Sequence, residues 1–341
     1  MLPKNQPITQ KEKWLKMIFM QKQFQSVHFT KRLNKFGTNL KKPQKINVMI
    51  KKGTIRLILI AGMVAFLSQA FMGCTSQPDE KFIGLQLYSV RQAMNEDAKG
   101  TVAKVGDIGY KFVEAAGYND GKFYGMSPAE FQELCETNNL MFLGSHTGQN
   151  VPDSANWDQT MEWWDQAIAA HKEAGVKWIV QPWMGETGYE SLDGLKRYCE
   201  YFNEVGAKCN EMGIRFGYHN HANEFTTEFE GKPVYDWMLE LTDPEKVMFQ
   251  LDLYWIIEGG KDPIDYFNNY SGRFELWHIK DEKEVGASGE IDFERIFAER
   301  EKAGAEYGIV EVEEYNFEPI VSVEKSFDFL KSAEYVDFIE E

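Results

Sequence analysis

Between residues 81 and 341, short runs rich in apolar and β-branched residues alternate with longer stretches whose apolar positions recur at helical spacing. The pattern predicts strands at residues 82–88, 112–115, 141–145, 178–181, 215–219, 247–252, 274–280 and 308–313, with starts about every 30 residues. Helical patterns occupy residues 97–108, 128–138, 158–174, 192–212, 292–303 and 324 onward. Ser127-Pro128-Ala129-Glu130 reads as a capping box with proline at the first helical position. Ala174-Gly175 and Met212-Gly213 suit left-handed C-caps before the next strand. Eight β-then-α units without a dividing linker predict an α/β fold, a single-domain (β/α)8 TIM barrel. An open doubly wound sheet would want a glycine-rich phosphate loop after its first strand, and Gln86-Leu87-Tyr88-Ser89-Val90 supplies none.

Alternation within strands assigns their faces. Ile83, Leu85 and Leu87 would face the helices, leaving Gly84, Gln86 and Tyr88 inward. By the same count His278 and Lys280 face in on the seventh strand, and Glu311 and Glu313 on the eighth. The strand ends thus converge on Gln86, Glu114, His146, Gln181, His219 with His221, Asp252, His278 with Lys280, and Glu311 with Glu313. Isolated charges are costly inside a barrel, but the C-terminal mouth is where barrel enzymes gather catalytic groups. His219, Asp252, His278 and Glu311 come from four consecutive strands at separations of 33, 26 and 33 residues, so they would sit at one height on neighbouring staves. Two imidazoles and two carboxylates suit Mn²⁺, Fe²⁺, Co²⁺ or Zn²⁺, with Mg²⁺ and Ca²⁺ fitting less well. Gln86, Tyr88, Glu114 and Gln181 are candidate substrate contacts, and Trp183 and Trp255 could wall a sugar pocket. His146 stands between a substrate contact and a structural role. His171 lies on a helical pattern and is given none.

Composition changes the picture at the N-terminal side. Residues 1–73 hold 14 of the 37 lysines and arginines and one acid, Glu12, so the rest carries 23 basic against 52 acidic residues, a balance of −29. Such a body repels phosphate backbones, which speaks against nucleic acid as a partner. Lys51, Lys52 and Arg56, an apolar run to Met72 and then Gly73-Cys74 read as a lipoprotein-type export signal over residues 49–73. Phe71-Met72-Gly73-Cys74 resembles a bacterial lipobox, with phenylalanine where leucine is usual. Cys74 is then the lipidated first mature residue, residues 74–80 form a short tether, and the chain is exported as a periplasmic or outer-membrane lipoprotein that meets the membrane only through its lipid. Residues 1–48 lie upstream of the signal and are set aside, Met49 being a suitable start. Cys135, Cys199 and Cys209 have neither disulfide nor metal spacing and read as packing residues.

The pieces Gly84-Leu85-Gln86-Leu87-Tyr88-Ser89-Val90-Arg91, Gly217-Tyr218-His219-Asn220-His221 with Glu224, Leu251-Asp252, His278-Ile279-Lys280-Asp281 and Val310-Glu311-Val312-Glu313 resemble the xylose isomerase-like barrel superfamily. That superfamily includes sugar phosphate isomerase/epimerases, tagatose 3-epimerase-like enzymes, inosose dehydratase and endonuclease IV. The resemblance implies a divalent metal held by a Glu, Asp, His, Glu quartet. Asp252 and His278 match its middle members, and Glu311 or Glu313 its last. The first departs: the fifth strand offers His219 and His221 where the epimerases have glutamate, with Glu224 just beyond.

The expected chemistry is abstraction of a proton beside the carbonyl of a keto-sugar, 3-keto-glycoside or inosose, by an isomerase, epimerase or lyase. Glu313, Lys280, His221 and Glu224 are the candidate acid–base groups. A phosphorylated substrate fits poorly with export. Three other readings are a metal-independent glycoside hydrolase with paired carboxylates, a non-catalytic sugar-binding lipoprotein and an endonuclease IV-like nuclease, the last opposed by the −29 balance.

Mass spectrometry of the native N-terminus is expected to find acylated Cys74. A mature protein starting at another, unmodified residue would overturn the export reading.

Overall fold

A computed structural model describes residues 80–339. The upstream segment 1–48, the signal 49–73, Cys74 and all of the tether but Glu80 lie outside the described residues. Among those described, no helix is long and apolar enough to cross a membrane.

Eight parallel strands close into a barrel in chain order: β1 (Ile83–Gln86), β2 (Phe112–Ala115), β3 (Met141–His146), β4 (Trp178–Gln181), β5 (Arg215–His219), β6 (Val247–Asp252), β7 (Leu276–Ile279) and β8 (Tyr307–Val310), with β1 pairing back to β8. The expected (β/α)8 barrel is the observed fold, with helices such as Trp157–Glu173 and Leu192–Glu211 around it. The capping box forms as read: Ser127 N donates to Glu130 Oε2 at 2.8 Å, and Ser127 Oγ accepts from Glu130 N at 3.3 Å. Cys135, Cys199 and Cys209 are free and buried.

The differences from the sequence pattern are local and have identifiable causes. β1 stops at Gln86, not Tyr88, because the Gln86 side chain accepts the Tyr88 N–H at 3.0 Å and turns the chain into a 3₁₀ turn, Leu87–Val90. β8 stops at Val310, where Val312 N leaves the ladder to donate to Ser89 Oγ at 3.0 Å. The first helix runs Arg91–Ile108, but Asp97 leaves helical geometry and caps Gly100 N at 3.0 Å, which explains the start read there. Two short helices, Phe293–Phe297 and Arg300–Ala303, replace one. The last helix starts at Pro319, whose fixed φ suits a first helical position.

Two apolar layers follow from the pleat. Outward residues such as Leu85, Val113, Ile179, Phe216, Leu251 and Val310 pack under the helices. Phe82, Phe112, Leu143, Trp178, Val180, Met248, Leu276 and Ile309 fill the lower lumen. Gly84 makes room for this plug, since a Cβ there would lie 2.2 Å from the Phe112 ring.

β3 carries one irregularity that matters above the plug. Val113 pairs with Phe142 and Glu114 with Gly144, so Leu143 is an extra residue on β3. Phe142 faces the helices, and so does Ser145, whose Oγ lies 2.6 Å from His171 Nε2 on the helix outside. Strict alternation could not put both on one side. The bulge resets the phase and turns His146 into the lumen.

Phe112 stacks on Phe82 at 5.0 Å and meets Trp178 and Tyr307 edge-on at 6.1 and 5.8 Å. Phe112→Ala is expected to cost roughly 3–5 kcal/mol, as large cavities in packed cores do. Denaturant unfolding of the variant measures it.

Candidate functional site

On top of the apolar plug lies a carboxylate with no access to solvent. Glu114, inward on β2, accepts Trp178 Nε1 at 2.7 Å, Gln86 Nε2 at 2.8 Å, His278 Nε2 at 2.8 Å and Gln250 Nε2 at 3.0 and 3.1 Å, with His146 Nε2 at 3.2 Å. Burial alone would raise its pKa, but His146 and His278 outweigh burial and hold it well below the usual carboxylate range. Glu114 therefore braces the groups above it, and its buried oxygens are already spoken for.

The next layer up brings together the four residues that the strand spacing put at one height. Register does this: Gln250 pairs with His219 across β5 and β6, Asp252 with His278 across β6 and β7, and His278 with Ile309 across β7 and β8, two residues before Glu311. One ligand atom from each of His219, Asp252, His278 and Glu311 lies within 4.8 Å of the others, and all four residues are buried. His146, His219 and His278 form a second such group, with ring centroids 4.6–5.1 Å apart.

Charge in this layer is unevenly compensated. Asp252 Oδ1 caps the following helix by accepting Tyr254 N and Trp255 N at 3.0 and 2.8 Å, while Oδ2 is buried with no hydrogen-bond partner among the described residues. Burial pushes the Asp252 pKa up to about 7 against the pull of Lys280. Burial also works against a charged His278, yet Glu311 and Glu114 raise it to about 10. His219 has no such pair and is held neutral by burial. Glu311 stays ionised despite burial because Lys280 and His278 face it. A buried orphan carboxylate oxygen beside two imidazoles and a second carboxylate is a donor set that could hold a divalent cation.

The remaining sequence-predicted residues fall into three places. At the mouth, Lys280 Nζ contacts Glu313 and lies 3.4 Å from Glu311. Burial would lower its pKa, but Glu311, Asp252 and Glu313 outweigh burial and favour the charged form of Lys280 in the ion-free protein. The His221 ring lies 5.0 Å from that of His219 and 5.7 Å from that of Trp255, and makes no hydrogen bond among the described residues. Trp255 also faces Lys280, 5.5 Å from its ring centroid. On the rim, Tyr88 and Trp183 are 42% exposed, and the Arg91 guanidinium lies over one face of the Tyr88 ring, 4.5 Å from its centroid.

Two residues lie elsewhere. Glu224 was expected near the first ligand position, but it is turned to the helix side and saturated, accepting Tyr218 Oη, Tyr189 Oη and His221 N at 2.6, 2.7 and 2.9 Å. Gln181 was expected inward, but alternation puts it with Ile179, opposite Trp178 and Val180, and its amide joins Gln149 N to the Trp183 carbonyl. His171 is a core histidine whose pKa burial lowers to about 4.

Sequence reasoning passed over Gln250 and Trp178, both of which hold Glu114, and Asn220, whose Oδ1 accepts Asp252 N at 3.1 Å. The signal for Gln250 was present: it lies two residues before Asp252 on the same face of β6, between the outward Phe249 and Leu251. A cavity of about 410 Å³ lies at the other end of the barrel, lined by Lys177, Arg215, Glu275 and Tyr307 near the strand starts, well away from this chemistry.

Comparison with known proteins matches this architecture. Inosose dehydratase of Geobacillus kaustophilus is 34% identical over 97 residues, which is 28% of this chain and 28% of that protein, and the same activity name attaches to a Lacticaseibacillus casei relative, 29% identical over 98 residues. The chain therefore spans well under two thirds of these curated relatives. A sugar phosphate isomerase/epimerase structure from Parabacteroides distasonis is 33% identical, covering 79% of this chain and 99% of that one with a TM-score of 0.71. A structure of the IOLI protein with a bound zinc atom, 12% identical with a TM-score of 0.57 over 76% of this chain and all of that one, shares the fold. With the xylose isomerase-like TIM barrel model matching residues 102–333, over a closed eight-stranded barrel with this cluster at its mouth, the chain belongs to the xylose isomerase-like TIM barrel family.

Proposed function

We propose that the chain is a divalent-metal-dependent sugar isomerase, epimerase or lyase that removes a proton next to the carbonyl of a keto-sugar, 3-keto-glycoside or inosose. The observation that carries the reading is the buried, unpartnered Oδ2 of Asp252 inside a four-residue donor set, next to an imidazole, His221, with no hydrogen bond of its own among the described residues. Inosose dehydratase and sugar phosphate isomerase/epimerase relatives support the substrate class.

His219, Asp252, His278 and Glu311 would hold the ion, with Mn²⁺, Fe²⁺, Co²⁺ and Zn²⁺ suited to this mix of donors. When bound, it supplies Lewis acidity to a carbonyl oxygen. The chain's own groups do the rest. Lys280 offers a fixed positive charge where negative charge develops on oxygen. His221 and Glu313 would take and return the proton. Trp255, Tyr88 and Trp183 present aromatic faces to a sugar ring. Returning the proton to another carbon isomerises, returning it from the other face epimerises, and loss of a β-oxygen eliminates. We take Cys74 as the lipid anchor of an exported enzyme. The paired-carboxylate hydrolase fares worse, because Lys280 contacts Glu313 and lies 3.4 Å from Glu311, so neither carboxylate of the pair stands free of the cation between them.

Solvent deuterium tests the reading. With Mn²⁺ and a panel of keto-sugars, 3-keto-glycosides and inososes in D₂O, the full chain is expected to place deuterium beside a carbonyl or to release an elimination product. Asp252→Ala and His278→Ala should lose both the metal and this exchange while remaining folded by circular dichroism. Turnover of a simple glycoside undiminished by EDTA, with no deuterium entering carbon, would reject the reading.

The titration behaviour gives a second check. His278 is raised to about 10 in the metal-free protein, above its ordinary value near 6.5. Its contribution to stability is then fully present below about pH 6.5 and lost as pH rises through about 10. Asp252, raised from 3.8 to about 7, also favours the protonated folded state, so its cost grows as pH rises through about 7 and overlaps only the start of this window. The unfolding midpoint of metal-stripped protein should fall from pH 6.5 to 10, and His278→Gln should flatten that slope. Calorimetric metal titration near pH 7.5 in buffers of different ionisation enthalpy should report proton release, since His278 Nδ1 must give up its proton to bind.

A further inference from the structure

We propose that Gln250 is the positioning residue that makes His219 a metal ligand, by fixing its ring tautomer through an amide that Glu114 orients. The inference rests on the metal reading of the site and goes beyond it, because Gln250 belongs to neither group of candidate ligands.

The chain of constraint starts at the buried carboxylate. Gln250 Nε2 lies 3.0 and 3.1 Å from the two oxygens of Glu114. Reversing the amide would press its carbonyl oxygen against a carboxylate that already collects N–H groups from Gln86, Trp178 and His278, so the amide has one orientation. Gln250 Oε1 therefore faces the histidines, 2.7 Å from His146 Nε2 and 3.1 Å from His219 Nδ1. A carbonyl oxygen only accepts, so both of those ring nitrogens carry hydrogen. A neutral His219 with hydrogen on Nδ1 has its lone pair on Nε2, the nitrogen left for an ion.

His278 is set from the same source by the opposite nitrogen. Its Nε2 donates to Glu114 at 2.8 Å, which turns Nδ1 to Glu311 at 3.2 Å. One buried carboxylate thus orients two imidazoles, His278 directly and His219 through Gln250. This division also accounts for a glutamine at an inward position of β6 whose flanking residues, Phe249 and Leu251, are packed outward in the apolar core. Without Gln250, His219 Nδ1 has no hydrogen-bond partner among the described residues, and both tautomers and other ring angles become accessible. Outer partners of this kind typically change metal affinity by roughly 10–100-fold.

The full chain titrated with Co²⁺, followed by its visible absorption and by competition with a chelator, tests the proposal. Gln250→Met, of similar size without the amide, is expected to bind Co²⁺ about 10–100-fold more weakly, with an altered absorption band. A wild type that takes up no Co²⁺ overturns the site reading and this inference with it. Wild-type uptake together with an unchanged affinity and spectrum in Gln250→Met overturns this inference alone. Two-bond proton–nitrogen correlation on ¹⁵N-histidine wild type, assigned with a His219 variant, reads the tautomer whether or not Gln250→Met folds. Hydrogen on His219 Nδ1 supports the proposal, and hydrogen on Nε2 with a bare Nδ1 rejects it.

Discussion

A carboxylate sealed inside a barrel must be surrounded by donors or it will not stay charged, and Glu114 is sealed completely. Its neighbours answer that requirement from β1, β3, β4, β6 and β7. Side chains have to supply these donors because Phe112, Trp178 and their neighbours close the lumen from beneath. Trp178 belongs to both worlds, its ring in the plug and its Nε1 on the carboxylate. Packing and polar satisfaction thus meet at one level of the barrel, and the cluster above inherits its orientation from that level.

The barrel was legible because each strand had to bury both faces or end at the mouth, which leaves short apolar runs at regular intervals with polar residues at their ends. The four clustered residues were legible for a related reason, since equal spacing along the chain becomes equal height when the units repeat. What the pattern could not carry was phase. Gln181 follows Val180 as Asp252 follows Leu251, yet the first faces out and the second in, and only pairing with neighbouring strands tells them apart. Glu224 beside two strand-end histidines looked like part of their chemistry, but two tyrosine hydroxyls from the helix side claim it. The hydrogen bonds of Gln250 and Glu114 join residues 136 positions apart, beyond the reach of any local periodicity.

The family resemblance implies glutamate where the fifth strand has histidine, and this changes the charge balance of the proposed site. Asp252 and Glu311 alone bring two negative charges, which a divalent ion would neutralise, whereas a third carboxylate would leave a surplus. The nearby cation, Lys280, then pairs with Glu313 outside the ligand group. A neutral imidazole at the first position also needs a defined tautomer, a demand that a carboxylate never makes. The extra hydrogen-bonding apparatus beneath His219 answers that demand.

The Leu143 bulge frees the site from the count of residues in β3. Loss of the extra residue between Val113's partner and Ser145 would return the strand to a regular ladder, with Ser145 still opposite Ala115 and His146 still in the lumen. Drawn into the ladder at unchanged length, the same residue would exchange the roles of the last two: Ser145 would enter the lumen and His146 would meet the helix that now holds His171. Descent by insertion or deletion at the bulge therefore spares the site, while any change that straightens the strand at its present length does not.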